Sequence, residues 1–290
     1  MKYPAIKRRL ISGFSIAAVL FTLFFLMPDI GIPFVLAALA VVIAQEFYNM
    51  MAAAGEPCFN RYGTLGIVAL VFVTWFSGVH GGATEGSWDA VVLFLITIAI
   101  LLRQFPQKAN PHPLRTIGFT LMGVLYIGLL WNFLTKLLLF ARQEPVEGIY
   151  MPGRWLLLYC VFAAKFTDIG AYLFGCVFGK HKLIPRISPG KSWEGVFGGI
   201  VVGTFMGALL VLILQKTFTP LGITPLRALP LGVALSVCAV VGDLTESLFK
   251  RASGVKDSGG IIPGMGGLLD VLDSLLFTAP ALYLYLRLVN

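Results

Sequence analysis

Between residues 243 and 273 the chain carries five acidic side chains, Asp243, Glu246, Asp257, Asp270 and Asp273, and three basic ones, Lys250, Arg251 and Lys256. Asp243, Glu246, Ser247 and Lys250 are spaced i, i+3, i+4 and i+7, which puts them on one face of a helix. Lys256 and Asp257 follow in a Gly/Ser-rich loop. Gly264-Met265-Gly266-Gly267 then leads into another apolar run, and Asp270 and Asp273 project together from its first turns. Carboxylates converging from two helices are hard oxygen ligands suited to Mg²⁺, a cation usually shared with substrate phosphates. Lysines beside them, and glycine N–H groups near a helix N-terminus, suit the remaining phosphate charge. Compensation of a helix dipole, worth about 0.3–1 kcal/mol per charge, would account for Asp270 and Asp273 but not for their six charged companions.

Two upstream stretches add to this set. In AAKFTDIGAYLFGCVFGK, Lys165, Asp168, Tyr172, Gly175 and Gly179 recur at spacings of three and four and share a helical face. That face is either a functional cleft or a Lys–Asp pair joining two helices. In GKHKLIPRISPGKSWEG, read as a loop, Lys180, Lys182, Arg186 and Lys191 are interleaved with Ser188 and Ser192. Such a segment suits a polyphosphate or lipid phosphate, and positive-inside anchoring explains its charges equally well. Glu46 stands almost alone among the early apolar runs and reads as an interfacial helix end. The four cysteines form no CxxC or Cys/His cluster, so neither a zinc site nor a disulfide framework is expected. No nucleophilic triad is evident.

These groups must be positioned by membrane helices. Of the 290 residues 58% are hydrophobic and 12% charged, against about 25% charged in soluble domains, and the mean hydropathy is +0.86. A span needs roughly 20 apolar residues. Runs at 10–27, 32–52, 64–80, 88–103, 116–140, 155–178, 196–215, 226–246 and 267–288 predict an all-α polytopic protein with about nine transmembrane helices. The run at 88–103 is the shortest, and the first reads as a retained helix rather than a cleaved leader. Helices of residues 1–150 form an N-terminal half and those of 151–290 a catalytic half, within one membrane domain.

Of the 22 Lys and Arg, fifteen fall in segments that nine crossings place inside, six fall outside, and Lys165 lies within a span. The positive-inside rule then puts the active site on the cytoplasmic side of the cell's inner membrane. The net charge of +8 is thus loop asymmetry, and no nucleic-acid partner is expected.

Residues 247–273 resemble the signature of the phosphatidate cytidylyltransferases (CDP-diacylglycerol synthases). The family pattern is carried by Ser247, Lys250, Arg251, Lys256, Asp257, Gly259, Pro263, Gly264, Gly266, Gly267, Asp270 and Asp273, with its spacing kept. Met265 stands where the family has His, and Val271 where it has Arg. The resemblance extends to Asp168-x-x-Ala171-Tyr172 and to Ser188-Pro189-x-Lys191-Ser192-Trp193-Glu194-Gly195, so its motifs cover about residues 165–275; the first half is matched only by hydropathy. It implies that CTP and phosphatidic acid react with Mg²⁺ to give CDP-diacylglycerol and pyrophosphate. It further implies that Asp243, Asp270 and Asp273 bind metal, with Lys250, Lys256 and Asp257 as the other catalytic groups. Asp168, Tyr172, Ser188, Lys191, Ser192, Glu194, Ser247, Arg251, Gly266 and Gly267 would then contact substrate. A homodimer stays open. Transfer to another lipid phosphate is one rival reading, and a cation-coupled transporter is another. A transporter would gather its charges near the midplane and tend to show repeated halves, neither of which is found.

Overall fold

The computed structural model describes residues 22, 26–79, 85–108, 110–143 and 152–289. Helix dominates, as hydropathy predicts: in lipid every backbone N–H and C=O must be satisfied within the segment. In order come α1 (Ile32–Ala53), α2 (Asn60–Val79), α3 (Glu85–Gln104) and α4 (Pro113–Gly123). A π-helical turn (Val124–Leu129) joins α4 to α5 (Leu130–Gln143). Then follow α6 (Pro152–Phe178), β1 (Lys182–Ile184), β2 (Ser188–Ser192), α7 (Trp193–Ile213), the short α8 (Gln215–Phe218), α9 (Pro225–Ala252) and α10 (Leu269–Val289).

Seven helices among the described residues are long and apolar enough to cross a membrane. Nine were expected. The run at 10–27 lies outside the described residues, apart from Thr22, Leu26 and Met27. The run at 88–103 forms the 20-residue α3, which is not among the seven.

The chain divides into two compact units, one of Met1–Thr135 with Ala252–Leu272, the other of Lys136–Arg251 with Asp273–Asn290. In the first unit α2 packs against α1, α3 and the π turn. Leu70, Val92, Ile96, Ile100 and Val124 form an apolar cluster there. Polar ties cross it: Tyr48 Oη donates to Thr120 O at 2.9 Å, and Trp131 Nε1 donates to Leu36 O at 2.9 Å.

In the second unit α6 and α7 pack backbone to backbone. Gly195, Gly199 and Gly203 recur every four residues of α7 and turn to α6; a Cβ on Gly199 would lie 2.8 Å from Thr167 O, and one on Gly195 2.8 Å from Ala171 O. The exposed side of α7 carries Phe197, Val201 and Phe205 at the same spacing. Large residues toward lipid and small ones toward protein is the pattern of membrane helix packing, where apolar side chains gain nothing by leaving lipid for each other.

Segment 182–192, read as a loop, instead forms an antiparallel hairpin with Lys182 opposite Ser192 and Ile184 opposite Ser188. It runs directly into α7, whose N-cap is Ser192.

Candidate active site

The second unit gathers acidic groups at the facing ends of α9 and α10. One carboxylate oxygen each from Asp243, Glu246 and Asp273 lies within 4.8 Å of the others. Glu246 and Asp273 are buried. Such a cluster is costly unless cations attend it, and they do. Lys191, from the end of the hairpin, reaches Asp243 Oδ2 at 2.6 Å, and Lys250 pairs with Glu246 one helical turn before it. Ser247 Oγ donates to Asp243 Oδ1 at 3.4 Å, and the Ser274 N–H donates to Asp273 Oδ1 at 2.6 Å.

On α6, Lys165 Nζ lies 3.0 Å from Asp168 Oδ2 and 3.3 Å from Ser274 Oγ. Tyr172, one turn beyond Asp168, is exposed. The Lys165–Asp168 pair does join two helices, through Ser274, and it does so beside the acidic cluster.

The hairpin is fixed at both ends. Ser192 Oγ accepts from the Gly195 N–H at 3.2 Å, a standard N-cap. The Glu194 carboxylate accepts from the Lys180 and His181 N–H groups at 3.2 Å each and lies 2.6 Å from His181 Nδ1. Arg251 Nε donates to Ile187 O at 3.1 Å, tying the turn to α9. Ser188 sits in β2 opposite Ile184. Ser192, Glu194 and Arg251, expected to contact substrate, thus shape the hairpin that presents Lys191.

The first unit holds the signature loop. Its bend between Ile262 and Gly266 is closed by a bridge between those residues, with Gly264 and Gly266 at φ +80° and +99°, a region open to glycine. Lys256, Asp257 and Met265 line a cavity of about 580 Å³ over this loop. Asp270 Oδ2 turns back into the loop and accepts from Ser258 N at 2.9 Å, Ser258 Oγ at 2.9 Å and Gly267 N at 2.7 Å. The Gly266 N–H donates to Ile262 O. Both glycine N–H groups expected to meet phosphate therefore bond within the loop. Val271, in place of the family Arg, is buried.

Two residues carry more than their sequence reading gave them. Glu246, on the Asp243 face but outside the expected site residues, is the third member of the acidic cluster; its i, i+3 spacing from Asp243 is the available signal. Glu46, read as an interfacial helix end, is 4% exposed and accepts from the Leu268 and Leu269 N–H groups at 2.9 and 2.7 Å. Its signal was the insertion cost of a lone carboxylate at a helix centre, about 2.5–3.5 kcal/mol. Outside the spans, burial and then the Glu56 carboxylate push the Cys58 thiol up to about 12, so it stays protonated at neutral pH and offers no nucleophile.

Known proteins carry this sequence pattern. The cytidylyltransferase family matches residues 7–289. A phosphatidate cytidylyltransferase of Haemophilus influenzae is 31% identical over 287 residues, covering 95% of this chain and 96% of the relative. One of Pseudomonas aeruginosa is 33% identical over 279 residues, covering 95% and 94%. One of Chlamydia pneumoniae is 30% identical over 274 residues, covering 93% and 87%. A match along nearly the full length, through the acidic cluster, the hairpin and the glycine loop alike, makes this chain a member of the cytidylyltransferase family.

Proposed function

We propose that this multi-pass membrane protein is a phosphatidate cytidylyltransferase, making CDP-diacylglycerol and pyrophosphate from CTP and phosphatidate. The observation that carries the reading is the Asp243–Glu246–Asp273 cluster flanked by Lys191 and Lys250, within a chain whose relatives bear that name. Neither the transporter nor transfer to another lipid phosphate finds support in those relatives.

The donor set is all carboxylate oxygen, which fits a hard divalent cation such as Mg²⁺. Asp243 and Asp273 would hold it with Glu246 beside them, and Asp270, three residues before Asp273, belongs to the proposed set. When bound, such an ion neutralises charge on the triphosphate and on the departing pyrophosphate. In the reaction a phosphatidate oxygen attacks the α-phosphorus of CTP. The bond from that phosphorus to the bridging oxygen breaks, and its electron pair leaves with pyrophosphate. The attacking phosphate is already ionised, so no side chain need take its proton.

The chain's own work is alignment and charge neutralisation. Lys191 and Lys250 offer ammonium groups at the acidic cluster. Lys256, beside the glycine loop, offers another to the triphosphate or the lipid phosphate. If the runs at 10–27 and 88–103 both cross, the excess of Lys and Arg on one side supports a site facing the cytoplasm, where CTP is available, in the cell's inner membrane.

The test is product formation by purified protein in detergent, supplied with CTP, phosphatidic acid and Mg²⁺ or a chelator. Pyrophosphate and CDP-lipid should appear together with Mg²⁺, and both should vanish with chelator. A folded protein that forms neither would sink the reading.

A further inference from the structure

We propose that Glu46, far from the signature in sequence, is a positioning residue for the reaction: it holds the start of α10 and the glycine loop in the geometry that presents Lys256, Asp257 and Asp270. The inference rests on the cytidylyltransferase reading above. Glu46 lies in the C-terminal half of α1 and is almost wholly buried. Its two oxygens are engaged locally: Oε1 accepts from the Leu268 N–H, while Oε2 accepts from the Leu269 N–H and lies 3.2 Å from Ser258 Oγ. Gly259 and Gly267 close around the carboxylate, since a Cβ on either would come within 2.6 Å of one of its oxygens.

The N–H groups at a helix N-terminus have no partner within the helix and attract anions. Here the chain supplies the anions itself. Glu46 takes Leu268 and Leu269, and Asp270 takes Gly267. Ser258 Oγ lies within hydrogen-bonding distance of both carboxylates, so the two act on one loop residue. A carboxylate reaching two backbone N–H groups fixes the direction in which α10 leaves the loop, and hence where its first turn carries Asp270. A wholly apolar residue at 46 would leave the buried Leu269 N–H and the half-buried Leu268 N–H without this acceptor.

The experiment compares wild type, Glu46→Gln and Glu46→Ala in detergent, with Glu56→Gln as control, since Glu56 pairs with exposed Arg115. The readouts are kcat and KM per folded enzyme, and hydrogen exchange of the Leu268 and Leu269 amides without substrate. A graded loss is expected: Gln keeps one acceptor, Ala none. kcat should fall about 10–100-fold, as for residues that orient a ligand set, with KM for phosphatidate little changed. Exchange of the two amides should speed up in the same order, and Glu56→Gln should match wild type. Ser258→Ala should cost less in the Glu46→Gln background than in wild type, because the two share a contact. Wild-type kcat per folded enzyme in Glu46→Ala, or unchanged exchange, would overturn the role. An inactive wild type would instead strike the cytidylyltransferase reading, and exchange would still report on the loop.

Discussion

Two groups of buried and half-buried carboxylates in this protein are held by different partners. In the second unit Asp243 and Glu246 face ammonium groups, those of Lys191 and Lys250. In the first unit Glu46 and Asp270 face backbone N–H groups and the Ser258 hydroxyl. An ammonium on a flexible stem can withdraw when a metal or a phosphate arrives. A backbone N–H cannot move without its helix. The first arrangement is therefore exchangeable and suits chemistry, while the second is fixed and suits architecture. Burial of a carboxylate alone does not separate the two cases; the identity of the donor does.

The comparison can be broken most directly at Asp273. Asp273→Asn should lower kcat on the order of 10³-fold in a protein that still folds, as expected for loss of a charge that acts on the transition state. Asp270→Asn tests the boundary between the groups. If Asp270 is a metal ligand, its loss should raise the Mg²⁺ needed for half-maximal activity; if it only orders the loop, that value should hold while exchange at Ser258 and Gly267 accelerates. Lys250→Met should lower kcat about tenfold, near 1.4 kcal/mol. Its sharper signature is thermal: with the Lys250 ammonium removed from Glu246, Mg²⁺ should raise the unfolding midpoint more than in wild type. Glu194→Gln should have the smallest effect, about threefold in KM for CTP, because the hairpin keeps its strand pairing and the Arg251–Ile187 tie. An effect as large as that of Lys250→Met would place Glu194 at the substrate.

Much of the scaffold was legible because the bilayer imposes it. The runs at 32–52 and 267–288 became α1 and α10 with ends shifted by only a few residues, since a span's length follows from membrane thickness. The 182–192 hairpin was not legible, because strands of three and five residues rich in Lys, Ser and Pro carry no alternating pattern. Asp243 and Asp273 could be singled out by chemistry and spacing, and the fold brings them together with Glu246. Which way Asp270 turns was beyond spacing: i and i+3 share a face in register, yet its carboxylate folds back onto a loop twelve residues earlier. Glu46 was misread because its partners lie more than 200 positions away, a distance no local pattern spans.

The glycine seam between α6 and α7 bears on which sequence changes this protein can tolerate. At Gly195 and Gly199 the nearest atoms across the seam are main-chain oxygens of α6, which no change of side-chain rotamer can move aside. Even alanine at Gly195 or Gly199 must push one helix off the other. The helix displaced carries Asp168 and Lys165, or else continues the strand that ends in Lys191 and Ser192. Such glycines face only the other helix at their nearest contacts, yet a survey of inactivating variants should find them as intolerant as the carboxylates, while the neighbouring Phe197, Val201 and Phe205 exchange freely with other apolar residues.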